Sequence, residues 1–198
     1  MTTKPCKNEA IYMYSIWLMP SDRELMRYQN IISEFSEHFN TPVFEPHITL
    51  FSGIENLTDE IIYQVSVLAA LTDIFDVTFD DFGLKSNYYK SIYLKPDSNQ
   101  TLEKMNQELQ EIFSDISYSF KPHLSLLYSE ISKKEKQDLL HQTTKIILGR
   151  FQATTLRIMK TDGEVKTWKA IEDFPLHSRN QTFLNLISEM VEKAVVYG

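Results

Sequence analysis

A single cysteine, Cys6, is the whole thiol content of this chain of 198 residues. It has no partner for an internal disulfide. No second thiol or histidine cluster near it suggests a zinc site either. Glycine is scarce, at five residues, so neither a fibrous nor a low-complexity architecture is in view. No apolar run approaches the roughly 20 residues needed to span a bilayer. An excess of basic residues is also missing: 20 Lys and Arg stand against 27 Asp and Glu, a net charge of −7. That balance argues against a protein that grips long duplex nucleic acid through many phosphates. It leaves room for a small anionic ligand held by a local site. The first ten residues, MTTKPCKNEA, read as a flexible tail without the apolar core of a secretion signal, so a cytosolic, reducing location is the expectation.

What is present is the composition of an ordinary globular protein, 42% hydrophobic and 24% charged. Tyr12–Leu18 is a nearly continuous apolar run that fits a buried strand. Ser21-Asp22-Arg23-Glu24 reads as a capping box, followed by Leu25, Tyr28, Ile32, Phe35 and Phe39 at helical spacing. Phe44–Phe51 is strand-like. Thr58 opens a helix with Ile61, Ile62, Val65 and Leu68 on one face. Phe75–Leu84 and Ser91–Leu94 read as strands joined by a loop carrying Tyr88 and Tyr89. A helix follows with Leu102, Met105, Leu109 and Ile112 inward, then a strand over Phe120–Tyr128. Ser132-Lys133-Lys134-Glu135 is a second capping box, for a helix reaching about His141. Phe151–Met159 and Val165–Ile171 read as a hairpin across Asp162-Gly163, and Asn180 as the cap of a last helix with Phe183, Ile187, Val191 and Ala194 inward. No linker divides the chain.

An internal repeat carries the chemistry. Phe44-Glu45-Pro46-His47-Ile48-Thr49-Leu50-Phe51 lies over Phe120-Lys121-Pro122-His123-Leu124-Ser125-Leu126-Leu127 at an offset of 76 residues. Only Glu45 against Lys121 breaks residue class. One His-x-Thr/Ser triplet means little; two in register, each behind a proline, exceed what packing requires. Residues i and i+2 of a strand share a face, so His47 projects with Thr49 and His123 with Ser125. Two lobes related by a pseudo-twofold would bring two imidazoles and two hydroxyls to one cleft. A neutral imidazole there takes a proton from water and an imidazolium gives one to the leaving oxygen, while the hydroxyls bind phosphoryl oxygens. The Glu45/Lys121 contrast leans toward His123 as the base and His47 as the acid, because a nearby cation lowers an imidazole pKa.

Tyr14-Ser15-Ile16-Trp17, Pro46-His47-Ile48-Thr49-Leu50 and Lys121-Pro122-His123-Leu124-Ser125 through Glu130 resemble the 2H phosphoesterase superfamily, and within it the cyclic phosphodiesterases of plants and yeast. The resemblance spans about residues 11–175. It implies an α+β, bilobal fold over 11–176: two antiparallel sheets with outer helices around a central cleft. It implies metal-independent opening of nucleoside 2′,3′-cyclic phosphates to 2′-phosphates and of ADP-ribose 1″,2″-cyclic phosphate to the 1″-phosphate, with no cofactor. His47 and His123 are then catalytic, Thr49 and Ser125 bind substrate, and Tyr128, Tyr88 and Tyr89 are further substrate-binding candidates. Strict alternation would turn Tyr128 away from His123, so its role needs the strand to end or bulge before it. Trp17 reads first as core, with a cleft-lining place also open to it. The remaining residues, 177–198, form a helical extension without a counterpart.

The expected partner is a small cyclic phosphate, with no long nucleic acid and no membrane, and the protein is expected to be a monomer. Two other functions are compatible with the motifs: an enzyme that processes RNA ends or 2′-5′ linkages, and a non-catalytic binder of cyclic phosphates or nucleotides. His38, His141 and His177 sit near element ends and read as surface residues.

Overall fold

The structure, a computed structural model, describes residues 14–142 and 148–178. The expected N-terminal tail and the helix expected after Asn180 lie outside the described residues. Seven strands and four helices follow one another as β1 (Tyr14–Pro20), α1 (Asp22–Phe39), β2 (Ile48–Ile54), α2 (Asp59–Leu71), β3 (Phe75–Leu84), β4 (Ile92–Pro96), α3 (Gln100–Ile112), β5 (Leu124–Leu127), α4 (Lys133–Gln142), β6 (Gly149–Lys160) and β7 (Lys169–Pro175).

The helices start where side chains can satisfy their free first-turn amides. Thr58 accepts from the Ile61 amide (3.3 Å), and Asn99 accepts from that of Leu102 (3.0 Å). Ser132 and Glu135 form the full reciprocal box: the Glu135 amide donates to Ser132 Oγ (3.2 Å) and the Ser132 amide to Glu135 Oε2 (2.7 Å). At Ser21 the hydroxyl instead donates to the Glu24 carboxylate, and no backbone amide takes that cap.

Every strand pairing is antiparallel, in the order β1-β2-β5-β4-β3-β6-β7, and β1 also pairs with β6. Six strands therefore close into a ring. The offset of 76 maps this ring onto itself. β1–β2 maps onto β4–β5, and β1–β6 onto β4–β3. At the junctions the symmetry is residue by residue: Ile48 pairs with its own equivalent Leu124, and Phe75↔Ala153 exchanges with Val77↔Phe151. One lobe is β2, β1, the C-terminal part of β6, and β7; the other is β5, β4 and the C-terminal part of β3. The two expected sheets are thus halves of one hydrogen-bonded network, because β6, at twelve residues, is long enough to serve both.

The repeat is longer than the histidine motifs. Ser15-Ile16-Trp17-Leu18 lies over Ser91-Ile92-Tyr93-Leu94, and Phe75-Asp76-Val77-Thr78 over Phe151-Gln152-Ala153-Thr154, at the same offset. The described residues form two β-α-β-α-β units plus β7. The helices cross over, α1 packing on β5 and α3 on β2. Tyr28, Ile32 and Phe35 of α1 and Leu102, Met105 and Leu109 of α3 join one continuous buried core with residues of both lobes. Neither unit buries its sheet face alone, which is why no linker separates them.

One element departs from expectation. Val165–Thr167 is a 3-10 turn, and β7 begins only at Lys169. Gly163, with φ of 76°, starts the reversal, but the Thr167 hydroxyl and amide both donate to the Glu164 carbonyl (2.7 and 2.8 Å) and curl the chain before it can pair. The curl buries Val165 and brings Trp168 over the cleft.

Candidate active site

A cleft of about 700 Å³ lies between the lobes, lined by Trp17, Thr49, Tyr89, Ser125, Tyr128 and Trp168 as well as His47 and His123. Both histidines stand one residue ahead of their strands, since β2 begins at Ile48 and β5 at Leu124. Each is oriented in the same way. His47 Nδ1 donates to the Glu45 carbonyl (2.6 Å), and His123 Nδ1 to the Lys121 carbonyl (2.8 Å). A carbonyl only accepts, so Nδ1 carries the hydrogen in both rings and Nε2 is left for chemistry. The intervening prolines, Pro46 and Pro122, hold the preceding residue extended, so that its carbonyl faces the ring two positions on.

The strands then use a bulge to present more than alternation allows. Ile16 pairs with Phe51 but Trp17 with Thr49, so Leu50 is the extra residue. In the other lobe Ile92 pairs with Leu127 but Tyr93 with Ser125, so Leu126 is the extra residue, at the equivalent place. Leu50, Phe51, Leu126 and Leu127 all point into the core. After each bulge the face is reset, and Ser52 and Tyr128, again equivalent positions, turn back to the cleft. β5 also ends at Leu127. The condition that the sequence set for Tyr128 is met twice over. The carbonyl of the bulged Leu50 accepts from Asn106 Nδ2 of α3 (2.8 Å), a buried amide that stabilises the distortion.

The two halves differ in what surrounds the rings. The Trp17 indole stacks flat on His47, with centroids 3.5 Å apart and planes at 3°. Its equivalent, Tyr93, meets His123 only edge-on at 5.6 Å. The Tyr93 ring lies across Gly83, where an added Cβ would come within 2.2 Å of it. Burial lowers His47 to about 3, with further contributions from the charges of His123 and Arg157. His123 is lowered to about 4 by burial and by the cations of Lys90 and Lys85. Both imidazoles are therefore neutral at pH 7 in the free protein. The Glu45 and Lys121 charges are not what shifts the two rings. Glu45 is engaged by Arg157 Nη1 (2.6 Å), and the cations acting on His123 are Lys90 and Lys85. His123 is the less deeply buried of the two.

The hydroxyls differ as well. Thr49 makes no hydrogen bond through its side chain among the described residues, whereas Ser125 Oγ donates to the Tyr89 carbonyl (2.8 Å) and so holds the loop that carries Tyr89. Tyr128 is buried against Phe44 (3.6 Å, 7°), and burial holds its hydroxyl protonated at all ordinary pH. Tyr89 faces the cleft and stacks on Trp168 at 6.0 Å. Tyr88 does not line the cleft; it packs behind, edge-on to Tyr89 at 5.0 Å.

Trp168, Ser52, Tyr118, Ser15 and Thr161 also line the cleft, and none of them was singled out from sequence. The extended repeat would have flagged Ser52 as the equivalent of Tyr128. Trp168 carries no such signal, because the 3-10 turn that delivers it lies in a segment, Val165–Ile171, whose sequence pattern is that of a strand. Trp17 proves to be both core and cleft wall, 2% exposed with one face under His47. His38 is exposed near the end of α1, as expected. His141 falls in α4. His177 continues past β7, where its amide donates to the Thr72 carbonyl (2.7 Å). A second hollow of similar volume lies between α2 and α3, lined by Tyr63, Leu68, Leu71, Lys104, Met105 and others, and holds no histidine. Among the described residues no three His, Cys, Asp or Glu side chains gather as a metal site would require, and no helix is long and apolar enough to cross a membrane.

Comparison with known proteins gives the same outline. A family model described as cyclic phosphodiesterase-like protein matches residues 13–176. A cyclic phosphodiesterase of Arabidopsis thaliana is 23% identical over 165 residues, covering 81% of this chain and 91% of that protein. A 2′,3′-cyclic-nucleotide 3′-phosphodiesterase of Kluyveromyces lactis is 25% identical, covering 82% and 98%. Among solved structures, E. coli LigT complexed with 3′-AMP superposes with a TM-score of 0.55 at 14% identity, covering 84% of this chain and 98% of that one. A protein of Thermus thermophilus gives 0.57 at 12% identity, covering 84% and 99%. At those identities the structural likeness speaks for the fold.

Proposed function

The chain belongs to the family of cyclic phosphodiesterase-like proteins, and from that premise we propose that it hydrolyses small cyclic phosphodiesters, without metal, between His47 and His123. The observation that carries this reading is the duplicated ring geometry: both imidazoles are locked through Nδ1 to a carbonyl two residues back and line one cleft. One Nε2 accepts a proton from the attacking water as its oxygen bonds to phosphorus; the other donates a proton to the ester oxygen that leaves. The phosphodiester enters as a monoanion. Placed between the rings, it favours the imidazolium form and so raises the pKa values that burial has lowered. His123 is the less deeply buried ring, and on that ground we assign it as the acid and His47 as the base. Thr49 donates to a non-bridging oxygen as it stands, and Ser125 does so once its hydroxyl turns from the Tyr89 carbonyl.

The substrate class follows from volume and walls. About 700 Å³ bounded by Tyr89, Tyr128 and Trp168 suits one nucleotide, with an aromatic face for its base. Nucleoside 2′,3′-cyclic phosphates and ADP-ribose 1″,2″-cyclic phosphate, the substrates expected from the sequence resemblance, both present such a group. The test is incubation of 2′,3′-cyclic AMP with the protein in excess EDTA and separation of the products. The reading requires 2′-AMP to accumulate; loss of turnover in EDTA, or tight binding with no turnover, would overturn it.

A second reading, action on RNA ends, has one observation in its favour. Lys85, Lys90 and Lys121 form no ion pair among the described residues, and burial, with the charges of Lys85 and Lys121 added to it, lowers Lys90 to about 8 at the His123 end of the cleft. A faster reaction on a short oligonucleotide ending in a cyclic phosphate than on the mononucleotide would favour it.

A further inference from the structure

The one position at which the eight-residue histidine motif breaks class is also the position that grips each histidine. Glu45 and Lys121 offer equivalent carbonyls to His47 and His123, but their side chains belong to different surroundings. Arg157 lies on β6 opposite Trp17 of β1 and Asp173 of β7, and Trp17 in turn lies opposite Thr49 of β2. Directly opposed residues share a face, so Thr49, Trp17, Arg157 and Asp173 form one row across the sheet. Asp173 takes the guanidinium with both oxygens, from Nε (2.6 Å) and Nη2 (2.8 Å). This fork–fork geometry fixes the guanidinium plane and leaves Nη1 pointing at Glu45 Oε2 (2.6 Å). The Arg157 side chain is 15% exposed while the two carboxylates it holds are about half exposed, so water screens the pairs in part and the arrangement rests on its geometry.

We propose that Arg157 is a positioning residue for His47: anchored on Asp173, it holds Glu45 and so fixes the carbonyl that sets the tautomer and direction of the His47 ring. The inference rests on the catalytic reading of His47. The other lobe has no such brace. Its carbonyl, that of Lys121, receives the Lys90 ammonium at 3.4 Å, a single long contact from a flexible side chain. In the sheet the residue opposite Tyr93, the equivalent of Trp17, is Gly83, which has no side chain to offer Lys121. The Lys121 side chain has no counterpart of the Arg157 clamp.

The experiment compares Arg157→Gln, Arg157→Lys, Glu45→Gln and the double variant Glu45→Gln/Arg157→Gln with His47→Ala as the reference. Steady-state kinetics on 2′,3′-cyclic AMP are combined with 15N NMR titration of the imidazoles. Arg157→Gln is expected to lower kcat about tenfold with KM within about twofold. Arg157→Lys should recover part of the loss, and Glu45→Gln should match Arg157→Gln. The double variant should be no worse than either single change, because both cut one strut. The His47 Nδ1–H signature should weaken while that of His123 stays, which a merely structural role would not produce. Wild-type kcat in soluble, folded Arg157→Gln and Glu45→Gln, alongside an inactive His47→Ala, overturns the positioning role and leaves the catalytic reading standing. An active His47→Ala overturns both. Should Arg157→Gln fail to fold, Glu45→Gln at a half-exposed carboxylate decides the same question.

Discussion

Around His47 the indole of Trp17 lies flat against the ring, an anchored arginine holds the residue behind it, and the histidine is almost fully buried. Around His123 the equivalent ring, Tyr93, folds back over Gly83, with the Lys90 ammonium 4.3 Å over its face, and touches the histidine by an edge. The histidine strands are alike down to the bulged leucine, but Trp17 faces Arg157 where Tyr93 faces Gly83, and among the described residues β7, with Asp173, lies beside the His47 lobe alone. A duplicated scaffold places two imidazoles symmetrically. The proposed acid–base reaction needs them in different protonation states once substrate is bound, and the surroundings of the two rings are where the halves differ.

Removing the stack should separate the halves most. Trp17→Ala is expected to cost about 3–5 kcal/mol in a urea melt, because a buried indole leaves a cavity. It should also admit water to His47, whose pKa then rises by NMR while that of His123 changes little. Equal rises in both rings would contradict the account.

Acid should destabilise the fold through both rings, His123 as well as His47. Unfolded His47 protonates near 6.5, whereas the folded ring resists until about 3. Between those values the unfolded chain binds more protons. Stability is therefore full above about 6.5 and falls as the pH drops through it, by about 2 kcal/mol from this residue between pH 7 and 5. His47→Gln should flatten that part of the denaturation curve.

Gly83→Ala tests the open half. The new methyl must displace the Tyr93 ring, at about 1–2 kcal/mol, and shift the His123 resonances rather than those of His47. The smallest separation is expected at the hydroxyls. Thr49→Ala and Ser125→Ala should each slow turnover about tenfold, but only Ser125→Ala should also loosen Tyr89, visible as faster exchange of the Lys90 and Ser91 amides.

Much of this was legible in the sequence because the information is local. Ser132 and Glu135 cap as read, and the α1 stripe of Tyr28, Ile32 and Phe35 is buried as its spacing requires. The proline-histidine-hydroxyl repeat brought four cleft residues into view at once. What stayed hidden depends on pairing between distant segments. The bulges at Leu50 and Leu126 exist only in register with β1 and β4, so Ser52 could not be assigned to the cleft from alternation. Trp168 reaches the cleft through a 3-10 turn fixed by the Thr167 hydroxyl, against the strand reading of Val165–Ile171. Arg157 looked like any strand charge until Asp173 and Glu45 were placed beside it.

The central claim is that the two halves, however differently dressed, hold one proton-transfer pair. Turnover of 2′,3′-cyclic AMP by His47→Ala, His123→Ala and the double variant tests it most directly. The account predicts that each single change lowers kcat/KM at least about 100-fold and that the double change falls little further, since either loss alone breaks the pair. A single variant that keeps the wild-type rate while remaining folded would contradict it.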